Sequence, residues 1–242
     1  MLDTVMRGEG ADASGRLHFD FGGEKLVLDM SGALYWPAQE TLIVADLHLE
    51  KGSFYARRGQ FLPPYDTRET LERLASVLER YDVRTLIALG DSLHDAAAHE
   101  RLATEDLARL RELQKSRDWI WVSGNHDPVI DGCFGGMVTD VLALNGLVLR
   151  HEPSAKIDAC NEIAGHLHPA AKLRRHGTSI RRRCFIGTPA QLILPAFGAY
   201  TGGLNILDPA FEWLLTEPAA VSVWMLGHDG LYPVPVAMLC AD

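Results

Sequence analysis

Thr41-Leu42-Ile43-Val44-Ala45-Asp46-Leu47-His48 is a short apolar run that ends in a carboxylate and an imidazole. Such a run is too short for a buried helix and suits a strand covered on both faces. Asp46 and His48 then lie on the loop at its carboxyl end. The same arrangement recurs along the chain. Thr85 to Leu89 precedes Gly90-Asp91, and Trp119 to Val122 precedes Gly124-Asn125-His126-Asp127. Leu147 to Arg150 precedes His151, and Ile163-Ala164 precedes Gly165-His166-Leu167-His168. Loops at the ends of neighbouring strands can be aimed by one rigid sheet at one point.

The segments between these runs set the topology. Asp66 to Tyr81 predicts a helix, with Leu71, Leu74, Leu78 and Tyr81 on one stripe. Asp66 and Glu69 follow Pro63-Pro64 as a capping-box-like pair. A second helix is expected from about Arg101 to Gln114. Strands alternating with helices imply parallel pairing with right-handed crossovers. Before Thr41, the segments Leu17 to Phe21, Lys25 to Met30 and Ala33 to Trp36 read as antiparallel strands between Gly-rich turns. After Cys133 the pattern becomes mostly β, with short strands at Val138 to Leu144, Leu147 to Arg150, Ile163 to Ala164, Cys184 to Ile186, Gln191 to Leu194 and Leu204 to Leu207. Beyond Pro218 the chain is expected to pack on a sheet. No linker divides the halves, and the chemically active residues come from both. One domain over residues 16–242 is expected, after a flexible polar tail at 1–15.

Each motif alone is weak. Asp-x-His is commonly a surface turn, Gly-Asn-His-Asp an ordinary loop, and a His pair a satisfied polar edge. In this order, each after an apolar run, they point to hard oxygen and imidazole ligands for a pair of divalent cations. Two cations about 3.5–4 Å apart can bind both non-bridging oxygens of a phosphate and activate a water. Asp91 is the natural shared carboxylate.

The chain resembles the calcineurin-like metallophosphoesterase superfamily. From about Leu17 to Leu207 it resembles, more closely, the bacterial ligase-associated DNA damage response endonucleases. That narrower resemblance rests on Asp46-Leu47-His48-Leu49-Glu50-Lys51-Gly52, Ala56-Arg57-Arg58-Gly59, Leu62-Pro63-Pro64-Tyr65-Asp66-Thr67 and Ala196-Phe197-Gly198-Ala199-Tyr200-Thr201-Gly202-Gly203. These strings have no evident chemical necessity, which makes them markers of lineage. The resemblance implies a mixed α/β (α+β) fold, a two-sheet β-sandwich flanked by helices. It implies one cation held by Asp46, His48, Asp91 and His168, and a second by Asp91, Asn125, His151 and His166. Nitrogen and oxygen donors without sulfur favour Mn²⁺, Fe or Zn²⁺ over Ca²⁺, and the resemblance leans to Mn²⁺. His126 would face substrate, either protonating the leaving oxygen or clamping phosphate, with Asp127 fixing its tautomer. DNA is the implied substrate, with a functional link to a DNA ligase and a helicase.

Other residues read two ways. His94 either reaches substrate or is a helix-start histidine. Arg57 and Arg58 either clamp a phosphate through a planar fork or lie on a solvated loop. Lys172, Arg174, Arg175, His176, Arg181, Arg182 and Arg183 form either a solvated hairpin face or a local strip for the DNA backbone.

The 242 residues carry a formal net charge of −9. That excludes broad, tight nucleic-acid binding by charge alone. Hydrolysis of nucleotides or cyclic nucleotides is the competing function, and a scaffold that has lost its metals a third. With 47% hydrophobic and 23% charged residues the composition is that of an ordinary soluble protein. No apolar run spans a membrane, and the start has no secretory core. Cys133, Cys160, Cys184 and Cys240 lack CxxC spacing and suit reduced thiols in a cytoplasmic protein.

Overall fold

Alternation along β4 (Thr41–Ala45) shows how the layers are built. Leu42 and Val44 pack with Leu71 and Leu74 on one face, while Ile43 and Ala45 pack with Ile163 and Leu192 on the other. The strand is buried on both sides, as expected of its unbroken apolar run. β5 (Thr85–Leu89) and β6 (Asp118–Val122) repeat this, with Leu86, Ala88, Trp119 and Trp121 on the first face and Ile87, Leu89 and Val122 on the second. Burying each large aliphatic side chain contributes about 1.5–3 kcal/mol, so the frame that carries the site is held from two sides.

The computed structural model describes residues 15–155, 161–175 and 177–242, without the side chain of Arg175. The tail expected at 1–15 thus falls, apart from Gly15, outside the described residues, as does Cys160.

One sheet has seven strands in sequence order: β1 (Arg16–Phe21), β2 (Glu24–Asp29), β3 (Leu34–Trp36), β4, β5, β6 and β7 (Met137–Thr139). β1 to β4 pair antiparallel, and β4 to β7 parallel. The helices α2 (Asp66–Leu78) and α3 (Thr104–Gln114) cover its outer face, and α1 (Lys51–Ala56) follows the first motif. The second sheet holds β8 (Val141–Leu144), β9 (Leu147–Arg150), β10 (Asn161–Ala164), β11 (Pro169–Arg175), β12 (Thr178–Gly187), β13 (Gln191–Ile193), β14 (Leu204–Asn205), β15 (Ser222–Leu226) and β16 (Leu231–Pro233). Leu147, Leu149, Ile163 and Phe185 from this sheet meet the first sheet in a shared core. The outer face of the second sheet is covered by Phe211 and Leu214 with Val236 and Leu239. The fold is the mixed two-sheet sandwich with helices that the resemblance implied.

Details depart from expectation for identifiable reasons. The segment read as one strand, Val138 to Leu144, is two: β7 closes the first sheet and β8 opens the second. The alternation runs through the switch, so no pattern marks it. Tyr81 lies beyond the end of α2, but still packs on the core and stacks on Tyr35 at 4.4 Å. The capping box does not form: the N-cap, Tyr65, makes no side-chain bond, and the Asp66 carboxylate instead accepts from Gly52 N at 3.0 Å. α3 starts at Thr104, because Arg101 is held away from it, donating to Ser53 Oγ at 2.9 Å and Asp95 Oδ1 at 3.1 Å. The C-terminal segment does pack on a sheet, and extends it as β15 and β16. Among the described residues no helix is long and apolar enough to cross a membrane.

Candidate metal centre

The backbone itself laces the motif loops together. Beyond the ends of β4 and β5, Asp46 N donates to Gly90 O (3.3 Å), His48 N to Asp91 O (2.9 Å), Leu49 N to Ser92 O (2.9 Å) and His94 N to Leu49 O (2.9 Å). His126 N donates to Asp91 Oδ1 at 2.9 Å, which brings in the loop after β6. From the second sheet, His166 N donates to Asp46 Oδ2 at 3.0 Å and Gly165 N to His151 O at 3.0 Å. Five motif residues, Asp46, His48, Asp91, His166 and His168, have φ between 44° and 69°, in the left-handed region. That conformation costs a non-glycine residue of the order of 1–3 kcal/mol and concentrates where function over-determines geometry.

Three groups of donor atoms result among the described residues: His48, His94 and His126 make one, and the other two share Asp91. Of these two, Asp46, His48, Asp91 and His168 form one, with ligand atoms within 4.8 Å of one another. His48 Nε2 is 3.2 Å from His168 Nε2 and 3.8 Å from Asp91 Oδ2, and His168 Nε2 is 3.3 Å from Asp46 Oδ1. Asp91, His151 and His166 form the other. His151 Nε2 lies 3.4 Å from Asp91 Oδ1, 3.1 Å from His166 Nδ1 and 2.9 Å from Asn125 Oδ1. Asp91 belongs to both groups, one oxygen turned to each.

The protonation chemistry fits divalent cations. Burial, with His168 next in weight, lowers the His48 imidazole to about 2. It therefore keeps a free lone pair at neutral pH, as a metal ligand must. Its other nitrogen meets His94 Nδ1 at 3.4 Å, a partner that can hold the ring in place. His151 Nδ1 donates to Leu89 O at 3.1 Å, which leaves Nε2 turned to the second group. Burial works against charging His151, but Asp91 and Asp46 outweigh it and raise the ring to about 9. A cation bound at Nε2 would displace that proton. Burial also works against the Asp91 carboxylate, but His151 and the His126 amide hold it well below the usual carboxylate range.

His94 is buried within the site, not at a surface helix start. Burial, then Lys51 and His126, lower it to about 4. Its ring stacks on His126 with centroids 5.3 Å apart, and its carbonyl accepts from His126 Nδ1 at 2.9 Å. His126 keeps 41% of its side chain exposed, with Nε2 3.9 Å from Asp91 Oδ2. Asp127 does not fix the His126 tautomer; the His94 carbonyl does. The fully buried Asp127 carboxylate accepts from Gly124 N (3.0 Å) and Leu93 N (2.9 Å), tying two motif loops together. Burial is the main force raising it to about 6.

The arginines divide. Arg58 lies over the Phe54 ring at 4.0 Å, and Phe54 packs edge-on against His94 at 4.6 Å, so Arg58 sits at the rim. Arg57 caps α1 from an exposed position and makes no contact with the donor groups. The basic strip is not one surface. Arg183 turns inward and donates to the carbonyls of Ala196 (2.9 Å), Gly198 (2.7 Å), Ala199 (3.3 Å) and Thr201 (2.8 Å). Arg181 pairs with Asp242 at 2.9 Å, and Lys172 with the same carboxylate at 3.8 Å. His176 and the side chain of Arg175 lie outside what is described.

Strings without evident chemistry in the sequence prove to be fasteners. Thr67 Oγ1 accepts from Glu50 N (2.9 Å) and donates to Glu50 Oε1 (2.8 Å), anchoring the chain two residues after His48. Buried Asp66 and Thr67 in a helix first turn were the available signal. Gly198 passes so close to the first motif that a Cβ would meet Leu47 O at 2.2 Å. Gly124 is as constrained: a Cβ would meet Asp91 N at 2.2 Å and Asp91 Oδ1 at 2.3 Å. Gly124→Ala should therefore displace Asp91 and lower activity about 10²-fold, the effect of a misplacement near 1 Å. A steady-state assay on folded variant tests this; parental kcat/KM would show that the loop yields without moving the carboxylate.

The chain belongs to the calcineurin-like phosphoesterase family, whose model matches residues 40–194. It is a metal-dependent phosphoesterase, a hydrolase. The crystal structure of the Pseudomonas putida nuclease MPE is similar to it with 31% sequence identity and a TM-score of 0.69, covering 90% of this chain and 100% of that one. A protein of unknown function from Aquifex aeolicus, AQ665, aligns over 57% of this chain and 81% of that one with 20% identity and a TM-score of 0.37. A comparison with curated proteins gives no match.

Proposed function

We propose that this protein is a dinuclear, Mn²⁺-dependent phosphodiesterase that cuts DNA as an endonuclease in repair. The observation that carries the reading is the pair of donor groups sharing Asp91. The similarity to a nuclease over the full length of that chain supports the choice of a nucleic-acid substrate. Asp46, His48, Asp91 and His168 would hold one cation, and Asp91, Asn125, His151 and His166 the other. Cations of this kind supply Lewis acidity toward phosphate oxygens and acidify water. The chain's own residues do the rest. His126 donates Nδ1–H to the His94 carbonyl, which leaves Nε2 as the nitrogen that faces substrate; in the imidazolium form Nε2–H protonates the leaving oxygen and the ring is left neutral with its proton on Nδ1. Asp127 holds the loops that carry Asp91 and His126 at their separation. Arg58, stacked on Phe54, offers a guanidinium to a neighbouring phosphate, and Arg57 serves the same strand from farther out. We place the enzyme in the cytoplasm, working with a DNA ligase and a helicase.

The test is a panel with Mn²⁺: single- and double-stranded DNA, a small phosphodiester, a phosphomonoester and nucleotides. DNA cleavage should vanish with a chelator and return with Mn²⁺. Failure to cut any DNA, with good hydrolysis of nucleotides, would replace the endonuclease reading with a small-substrate one.

A further inference from the structure

A cavity of about 380 Å³ lies near the metal loops, lined by Arg73, Arg181, Arg182, Arg183, Thr201 and Gly203 among others. Topology puts it at the same end of the sandwich. β3 runs antiparallel to β4 and β2 antiparallel to β3, so the turn at Met30–Ser31, which also lines the cavity, lies at the end of β4 that delivers Asp46. β12 runs antiparallel to β13, which is parallel to β10, so Arg181 to Arg183 lie at the end of β10 that delivers His166. The loop between metal centre and cavity is tied to the motif loops through Gly198 N to Asp46 O at 3.1 Å and Leu204 N to His168 O at 2.9 Å. From β5, which carries Asp91, to β2 is three strand spacings, roughly 14 Å.

The cavity has unbalanced positive charge. Neither Arg73 nor Arg183 has a carboxylate within ion-pair distance among the described residues. Both are held by carbonyls, Arg73 by that of Phe197 while lying over its ring at 4.1 Å. Burial, then Arg183, pull Arg73 down to about 10, and only Glu69 acts in the other direction. Lys51, half-buried and also without an ion pair among the described residues, is near enough to lower His48 and His94 and to be lowered by Arg183. Lys51 thus lies within electrostatic reach of both sites, with Asp66 acting on it in the other direction. Two donors there lack partners among the described residues: Arg73 Nε and Thr201 Oγ1, the latter on a residue only 5% exposed. Buried cations without counter-charge are costly, and guanidinium forks match oxyanions.

We infer that this cavity binds an oxyanion, and that during DNA cleavage the oxyanion is a backbone phosphate a few nucleotides from the scissile bond. The second half rests on the endonuclease reading; the first does not. An acidic protein gains strand affinity in this way from a few built contacts instead of a basic face.

Two measurements on the Mn²⁺-loaded protein separate the halves. The first compares thermal stabilisation by sulfate with that by chloride at equal ionic strength, which matches charge screening; sulfate's general exclusion from protein surfaces is common to parent and variants and drops out of their difference. Arg182→Ala removes an exposed guanidinium whose hydrogen bond is to its own strand, and Thr201→Val keeps the volume of the buried side chain. Parent should gain more from sulfate than either variant. Equal gains in all three would overturn the site, whatever the enzyme cuts. The second measures cleavage of a single-stranded oligonucleotide and of a small diester. Arg182→Ala should lower kcat/KM on the strand about tenfold, flatten the salt dependence by roughly 0.7 in log–log slope for one lost contact, and leave the small diester within twofold. A single neutral methylphosphonate, walked along the strand, should penalise parent at one position remote from the cut and the variant not at all. A sulfate effect with parental DNA cleavage by both variants would overturn the phosphate assignment. A sulfate effect in a protein that cuts no DNA would keep the oxyanion site and discard the endonuclease reading.

Discussion

Replacing Asp91 with Asn should abolish nearly all phosphoesterase activity while leaving the protein folded. The carboxylate spans both donor groups: Oδ1 lies 3.4 Å from His151 Nε2, and Oδ2 lies 3.8 Å from His48 Nε2. No other carboxylate belongs to both groups. Outer partners of metal ligands typically cost about 10–100-fold when removed. A shared ligand should cost more, roughly 10³-fold or above, because both cations lose an anionic donor. The amide keeps one oxygen, so its bond to His126 N survives and the loop has no reason to unfold. Elemental analysis should find at most one cation per chain in the variant. Two tightly bound cations in a variant of parental activity would remove Asp91 from the bridge.

The parts of the fold that carry this residue were legible because burial leaves a simple trace. Thr41 to Ala45, Thr85 to Leu89 and Trp119 to Val122 lie between helices and the second sheet. Both faces must therefore be apolar, and the runs are unbroken. The motif residues were legible for the same reason, since each follows such a run directly. The outer part of a hairpin leaves no such trace. Lys172 to Arg175 of β11 and Thr178 to Arg182 of β12 are largely polar, and the arginines carry no sign of which face is inside. Arg183 was for that reason grouped with its exposed neighbours, whereas it holds four loop carbonyls. The division of Val138 to Leu144 between two sheets was also invisible, because a strand that changes sheets keeps its alternation.

Roles were less legible than positions. Asp127 adjoins His126 in sequence, which suggests a carboxylate–imidazole pair. Adjacent residues on a tight loop point apart, however, and the carboxylate meets Gly124 N and Leu93 N instead. The His126 ring takes its orientation from a backbone carbonyl 32 residues away, at His94. A backbone acceptor has no sequence signature. Asp66 and Thr67 are the converse case. They looked like a helix start with lineage value alone, yet their side chains secure the turn beyond His48. Strings that seem chemically idle can thus be the braces of the first motif loop, where Asp46 and His48 sit at positive φ.

His126→Ala should separate the role of His126 from that of the metal ligands. The imidazole shares a donor group with His48 and His94 but belongs to neither group that contains Asp91, and its side chain is 41% exposed. Metal content should therefore stay at the parental value. Since Nδ1–H is committed to the His94 carbonyl, Nε2 is the atom that meets substrate. A group that protonates the leaving oxygen contributes about 10²–10⁴-fold, and only where the leaving group needs a proton. A deoxyribose oxygen is a poor leaving group and needs one; an activated aryl oxide does not. The variant should therefore lose about 10²-fold or more on a natural diester and much less on an activated aryl diester. Parallel kcat/KM measurements on the two substrates decide the matter. Equal losses would mean that His126 holds the phosphate and gives it no proton. A fall in bound metal would instead make His126 a brace for the site, acting through His48, whose ring it meets edge-on at 5.2 Å.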